Sequence, residues 1–240
     1  MKLWTSFLLV FSLLFIQLVV AGEKKVVAIF PFHFASTNPA EKEAMQELND
    51  FFYDLFAGQL ASTDYFEVVD RQNMKALLEE VALQQSGLMQ QVVQLGKMKG
   101  AQLAIFGTVT RIGKQTYLTM KIIDIETGVI LKAIKQKGSL NKPDKLATEA
   151  GFKFMNGLSK VLAQRYGVDI PSVSGSARKG LTELLKAHDC IQKAIVAAEA
   201  EDSKNLKKWK KEAEKHLQKA QTYPEFASQV QAYREELADL

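Results

Sequence analysis

Residues 103–136 read LAIFGTVTRIGKQTYLTMKIIDIETGVILKAIKQ. Three strand-like runs lie in this stretch: Leu103 to Ile112, Tyr117 to Ile125 and Val129 to Gln136. The connections, Ile112-Gly113-Lys114-Gln115 and Glu126-Thr127-Gly128, are too short for anything but hairpins. In the middle run Leu118, Met120, Ile122 and Asp124 alternate with Tyr117, Thr119, Lys121 and Ile123. A period of two predicts an antiparallel meander with one better-buried face.

Upstream, Val26-Val27-Ala28-Ile29-Phe30 is a short apolar strand that Pro31 interrupts. Ser36, Thr37 and Asn38 mark a loop, and Pro39 suits a first helical turn. The next helix, to about Ala61, carries Met45, Leu48, Phe52, Leu55 and Phe56 on one stripe. Tyr65 to Val69 is a second strand. Asp70 is placed to cap a helix from Arg71, with Met74, Leu77, Leu78 and Val81 on one face. Ser86-Gly87 breaks the chain, and a short helix runs to Lys99, where Gly100 can end it.

Downstream, Leu146, Ala150, Phe154, Leu158 and Leu162 predict a helix from Pro143 to Tyr166. The stretch from Gly167 to Ser176 reads as a linker. Three amphipathic helices come next, with stripes Leu184-His188-Ile191-Ile195, Leu206-Trp209-Ala213-Leu217-Ala220 and Phe226-Val230-Tyr233-Leu237. The expected organisation is a signal peptide over residues 1–21, an α/β domain over 22–167, a linker over 168–176, and a helical bundle or TPR-like domain over 177–240.

Met1 to Ala21 has the form of a secretory leader: Lys2 is the positive end, an apolar run extends to Val20, and Val19-Val20-Ala21 supplies small residues at the exit. Cleavage is expected after Ala21 or Gly22. An uncleaved anchor is the alternative, because the run approaches the ~18 residues that span a bilayer. No cysteine follows it to carry a lipid.

Composition excludes little and suggests no special chemistry. Charged residues make up 24% and the net charge is +4, an ordinary globular balance that implies no dedicated nucleic-acid surface. A lone cysteine, Cys190, forms no internal disulfide and reads as a small core residue. The histidines His33, His188 and His216 have no metal-ligand spacing. Gly100, Gly107, Gly113 and Gly128 make no phosphate loop, and no serine lies in a nucleophile elbow. Asp70-Arg71 reads as a cap and its charge partner. No catalytic, cofactor-binding or metal-binding residue is assigned, and no cofactor is expected. The lysines 204, 207, 208, 210, 211, 215 and 219 form a basic helix face around Trp209. It is read as a solvated face with Trp209 packed inward, peripheral contact with anionic lipid being the alternative.

A series of pieces in order carries a family resemblance: Val69-Asp70-Arg71, Leu77-Leu78-Glu79-Glu80, Gln84-Gln85-Ser86-Gly87, Gly100-Ala101, Gly107-Thr108-Val109, and Asp124 with Thr127-Gly128. Over residues 24 to about 167 the chain resembles the CsgG family, the curli-secretion channel and its relatives, and the related TolB N-terminal and LpoB-type periplasmic domains. The resemblance implies an α/β fold on one sheet, placement in the periplasm or at the outer membrane, and no enzymatic activity. It also implies partners among envelope secretion or surface-assembly proteins, with self-association. Channel members carry a lipid-bearing cysteine and long membrane-spanning hairpins. A transmembrane strand needs about 9–11 residues, and the short turns here leave no room for spare pairs, so the channel function is not carried over. The expected function is a non-enzymatic assembly or secretion accessory protein. A regulator of a cell-wall synthase of the LpoB type is the alternative, and a hydrolase with a triad assembled from distant residues is the third reading.

Overall fold

The computed structural model describes residues 24–34, 38–70, 88–112, 115–170 and 172–240. The leader, the helix expected from Arg71 with its break at Ser86-Gly87, and the tip at Gly113-Lys114 lie outside the described residues.

The described strands are β1 (Lys25–Ile29), β2 (His33–Phe34), β3 (Phe66–Val68), β4 (Leu103–Ile112), β5 (Gln115–Asp124) and β6 (Ile130–Gly138). They form one mixed sheet in the order β3-β1-β4-β5-β6, with β2 also paired to β4. The meander β4-β5-β6 is antiparallel, as the turns require. The β1 strand lies parallel to both β3 and β4, a pairing without any local turn signal. Pro31 sets the gap between β1 and β2. Phe30 N–H still donates to Ile105 C=O at 2.8 Å, Pro31 has no N–H to give, and the ladder resumes at His33 opposite Thr108. Within the gap, Phe32 N–H donates to Asn49 Oδ1 at 2.8 Å.

Asn49 belongs to α1 (Pro39–Ala61), which starts as expected: Asn38 Oδ1 accepts from Ala40 N–H and Pro39 opens the first turn. The α1 helix and α3 (Pro143–Tyr166) cover one sheet face. Phe52 meets Phe32 at 5.2 Å between ring centroids, and Phe56 meets Phe154 at 4.5 Å. The other face is covered at one end by α2 (Leu88–Met98), where Val92 and Leu95 pack with Ala28, Phe30, Ala104, Phe106, Ile123 and Ile125. Gly100, at φ +68°, turns the chain out of α2 into β4.

After α3, Gly167 takes a left-handed conformation. The stretch to Ser176 is held down on α3. Ile170 and Val173 are buried, Ser159 Oγ donates to Ile170 C=O, and Asn156 Nδ2 donates to Val173 C=O. The helices α4 (Arg178–Glu199), α5 (Ser203–Ala220) and α6 (Ala227–Asp239) complete the chain, with a 3-10 turn at Pro224–Phe226 before α6. Their expected stripes are the buried ones, except that Ile195, Leu206 and Trp209 are only half-buried. These helices share a continuous core with α1 and α3. No helix among the described residues is long and apolar enough to cross a membrane.

Two glycines separate close packing from open turn. A Cβ on Gly107 would lie 2.5 Å from Cδ1 of Phe32, whereas one on Gly175 meets nothing within 4 Å. Gly107→Ala is expected to destabilise the protein by about 1–3 kcal/mol, the range for overpacking a core. Gly175→Ala is expected to change stability by less than about 0.5 kcal/mol. Urea unfolding of the two variants checks the contrast.

Candidate interaction surfaces

The register of the meander decides which side chains face outward. Ile105 opposes Ile122, Gly107 opposes Met120 and Val109 opposes Leu118; these point into the main core. One residue along, every side chain switches face. Phe106 opposes Lys121, Thr108 opposes Thr119 and Thr110 opposes Tyr117 on the outer side. The β6 strand continues the outer rows with Ala133, Lys135 and Lys137. Lys135 Nζ lies 4.5 Å from the centroid of the Tyr117 ring, and Lys121 Nζ lies 5.4 Å from that of Phe106. None of the outward strand residues from Thr108 to Lys137 is acidic. Beyond the patch under α2, this face is a half-exposed platform of threonines, one tyrosine and lysines, ending at the exposed Ile112.

Of the motif residues behind the family resemblance, Asp124, Thr127 and Gly128 form a turn at one end of the meander. Asp124 Oδ1 accepts from both the N–H and the hydroxyl of Thr127 at 2.9 Å, and Gly128 completes the turn at φ +70°. Arg165 of α3 pairs with Oδ2 of Asp124. Burial pushes the Asp124 carboxyl upward, but the Thr127 and Arg165 hydrogen bonds outweigh it and hold the group below its ordinary range. These residues act as a latch between the β5–β6 turn and α3.

The residues singled out for possible chemistry are scattered. Cys190 is buried in α4, and burial pushes its thiol up, away from the reactive thiolate. His33 sits in β2. His216 Nδ1 lies 2.7 Å from Glu183 Oε2. His188 is 2% exposed, with Nδ1 lying 3.2 Å from Tyr233 Oη and 3.3 Å from Asp54 Oδ2. No group of three or more His, Cys, Asp or Glu among the described residues is arranged to hold a metal. Asp70 follows β3 at the surface, while Arg71 lies outside the described residues.

The basic face of α5 is exposed at Lys204, Lys207, Lys208, Lys211, Lys215 and Lys219. Trp209 is half-buried and packs against the main core, while Lys208 Nζ and Lys193 Nζ lie 4.2 Å and 5.1 Å from its ring centroid. The periodic stripe is fully buried at Ala213 and Leu217 and only partly so at Trp209. The buried contact between His188, Tyr233 and Asp54 escapes sequence reading, because its members lie on three helices far apart in the chain. The one available signal is a histidine within an otherwise apolar stripe.

Glu183 ties α4 to α5. It accepts from Lys186 at 3.0 Å and lies 3.5 Å from Lys219. Burial pushes its carboxyl up, but the hydrogen bonds to His216 and Lys186 and the nearby lysine charges prevail. The carboxyl is held at about 2, against an ordinary 4.5. A carboxyl depressed in the folded state adds stability above its unfolded value and loses it as pH falls through the folded one. Glu183→Gln is therefore expected to cost of order 2 kcal/mol at pH 7. The difference from the parent should shrink between pH 4.5 and about 2. Urea unfolding of both proteins at pH 7 and at two acidic points within that window checks the sign.

The family model for the curli production assembly/transport component CsgG matches residues 15–119. The match takes in β1 to β4 and ends inside β5, before the Asp124 turn. No curated protein matches the chain in sequence. Among solved structures, the LpoB C-terminal domain from Salmonella enterica is 18% identical, with 49% of this chain and 86% of that one covered, at a TM-score of 0.34. TolB from Acinetobacter baumannii is 11% identical, with 60% and 29% covered, at 0.34. A PelC dodecamer from Paraburkholderia phytofirmans is 15% identical, with 57% and 88% covered, at 0.33.

Proposed function

We propose that this chain, whose residues 15–119 match the CsgG family model, is a non-enzymatic accessory protein of the cell envelope that works by self-association and by binding a protein partner. The observation that carries the reading is the outer face of β4-β5-β6. One face of an antiparallel sheet packs on the core while the other can stay open. Here the open side holds cations and an aromatic ring, and none of its strand residues is acidic. Such a surface fits an acidic counterpart, on another copy of the chain or on another envelope protein. Electrostatic complementarity of this kind favours encounter and sets orientation.

The rest of the architecture supports the same surface. The helices α1 and α3 cover the opposite sheet face and are themselves covered by α4 and α6. Among the described residues, the outer sheet face and the β6 and β3 edges are what the α/β part presents. The β6 edge carries Lys132, Lys135 and Lys137, and lysines along an edge strand discourage indiscriminate strand pairing. Docking is thus directed to the face. The leader-like N-terminal sequence supports export to the envelope.

The test is a charge reversal. The full chain and its Lys121→Glu, Lys135→Glu double variant are compared by light scattering over a concentration series and by crosslinking to envelope proteins of the source cell. Thermal melting serves as the control for folding. The expected result is a discrete oligomer or a crosslinked envelope partner for the parent, at least tenfold weakened in a variant that melts normally. A parent that is monomeric and uncrosslinked throughout would overturn the reading, as would robust turnover of ester, peptide or phosphate substrates.

A further inference from the structure

A second concave surface lies between α1, α4 and α5, away from the sheet. Its wide part has a volume of about 410 Å³, with Glu43, Glu47, Asp189 and Asp202 on its walls and Val196 and Trp209 as apolar contacts. An inner cavity of about 50 Å³ adjoins it, sharing Glu47, Asp189 and Gln192 in its lining, together with Asp144, Leu48, Leu185 and His188. A cavity of this kind holds one water in about 10–15 Å³, so the inner cavity has room for the polar head of one side chain.

Several observations give this cleft a charge preference. No cation lies within ion-pair distance of Glu43, Glu47 or Asp144 among the described residues, and Lys193 is already paired with Asp189 at 2.7 Å. Burial, and after it the charges of Asp189 and Glu43, push the Glu47 carboxyl up against the opposing pull of Lys193 and His188. The independent pointer to a ligand is His188. It is almost fully buried, and its Nε2 has no hydrogen-bond partner. Its Nδ1 lies beside Asp54 and Tyr233. His188 is part of the lining of the inner cavity.

The wide part already shows the chemistry it favours, since the Lys193 ammonium sits between the Asp189 carboxylate and the Trp209 ring. A ring face and a carboxylate together attract an alkylammonium or guanidinium. Leu48 and Leu185 offer apolar contact for a methylene stem, as long basic side chains require.

We propose that this cleft is a docking site for a basic segment of a protein partner, with one lysine or arginine inserted toward His188 past Glu47 and Asp189. The site is separate from the outer sheet face, so either surface can fail its test without the other.

The probe is an acetylated, amidated tetralysine peptide, titrated into the full chain carrying Trp4→Phe so that Trp209 is the sole tryptophan. Trp209 fluorescence and calorimetry report binding. The expected result is saturable one-site binding, weakened at least tenfold by Glu47→Gln and unchanged by Glu201→Gln. Glu47 is solvent-facing in part, and the Glu47→Gln variant is expected to melt with the parent. The same peptide with acetylated lysines is expected not to bind. Absence of saturable binding overturns the proposal. So does equal weakening by both substitutions, which would mean diffuse attraction only. Concentration-dependent self-association that Glu47→Gln abolishes would also overturn it, by making the occupant a second copy of this chain.

Discussion

Phe51 and Phe52 are neighbours in α1, yet they pack in different directions. Phe52 rests against Phe32 and Phe56 under the sheet. Phe51 turns to the ring of His188 on α4, 6.0 Å away between centroids. Both are essentially fully buried, each worth roughly 1.5–3 kcal/mol of transfer free energy. A helix that is apolar on more than one side must be covered on more than one side. Most of the remaining architecture answers that requirement. The sheet covers one side of α1, and the C-terminal helices cover another. The second contact is also pinned by polar groups. Gln59 Nε2 donates to Glu225 C=O and to Gln229 Oε1, and Gln229 Nε2 donates to Leu55 C=O. Buried amides left without such partners are costly, so the network fixes how α6 sits on α1.

With that face occupied, surfaces free to act lie elsewhere. Five of the residues that carry the family resemblance are used internally: Gly107 makes room for Phe32, Gly100 ends α2, and Asp124, Thr127 and Gly128 form a turn latched to Arg165. They preserve the fold and say little about the partner. The outward positions include the Lys121–Lys135–Tyr117 platform and the acidic cleft beside Trp209, which have opposite charge.

Elements governed by local rules are legible in the sequence. The meander comes from turn length and alternation, and α1 from Asn38-Pro39 and its stripe. The three C-terminal helices come from their periodicity. The parallel pairing of β1 with β3 and β4 is not legible, because no local signal encodes a partner dozens of residues away. Phe51 falls outside the α1 stripe read from periodicity, since that stripe assumes one buried side. The Ile170 and Val173 contacts lie in a stretch whose serines and proline read as a connection. The His188–Tyr233–Asp54 contact and the cleft beside it arise only when three helices converge, and a single sequence holds no record of that convergence.

Helix α1 joins the α/β part and the C-terminal helices through one shared core. Differential scanning calorimetry of the full chain tests it most directly. A shared core predicts a single transition whose calorimetric and van't Hoff enthalpies agree. Two resolved transitions, with the C-terminal helices melting apart from the sheet, would contradict it.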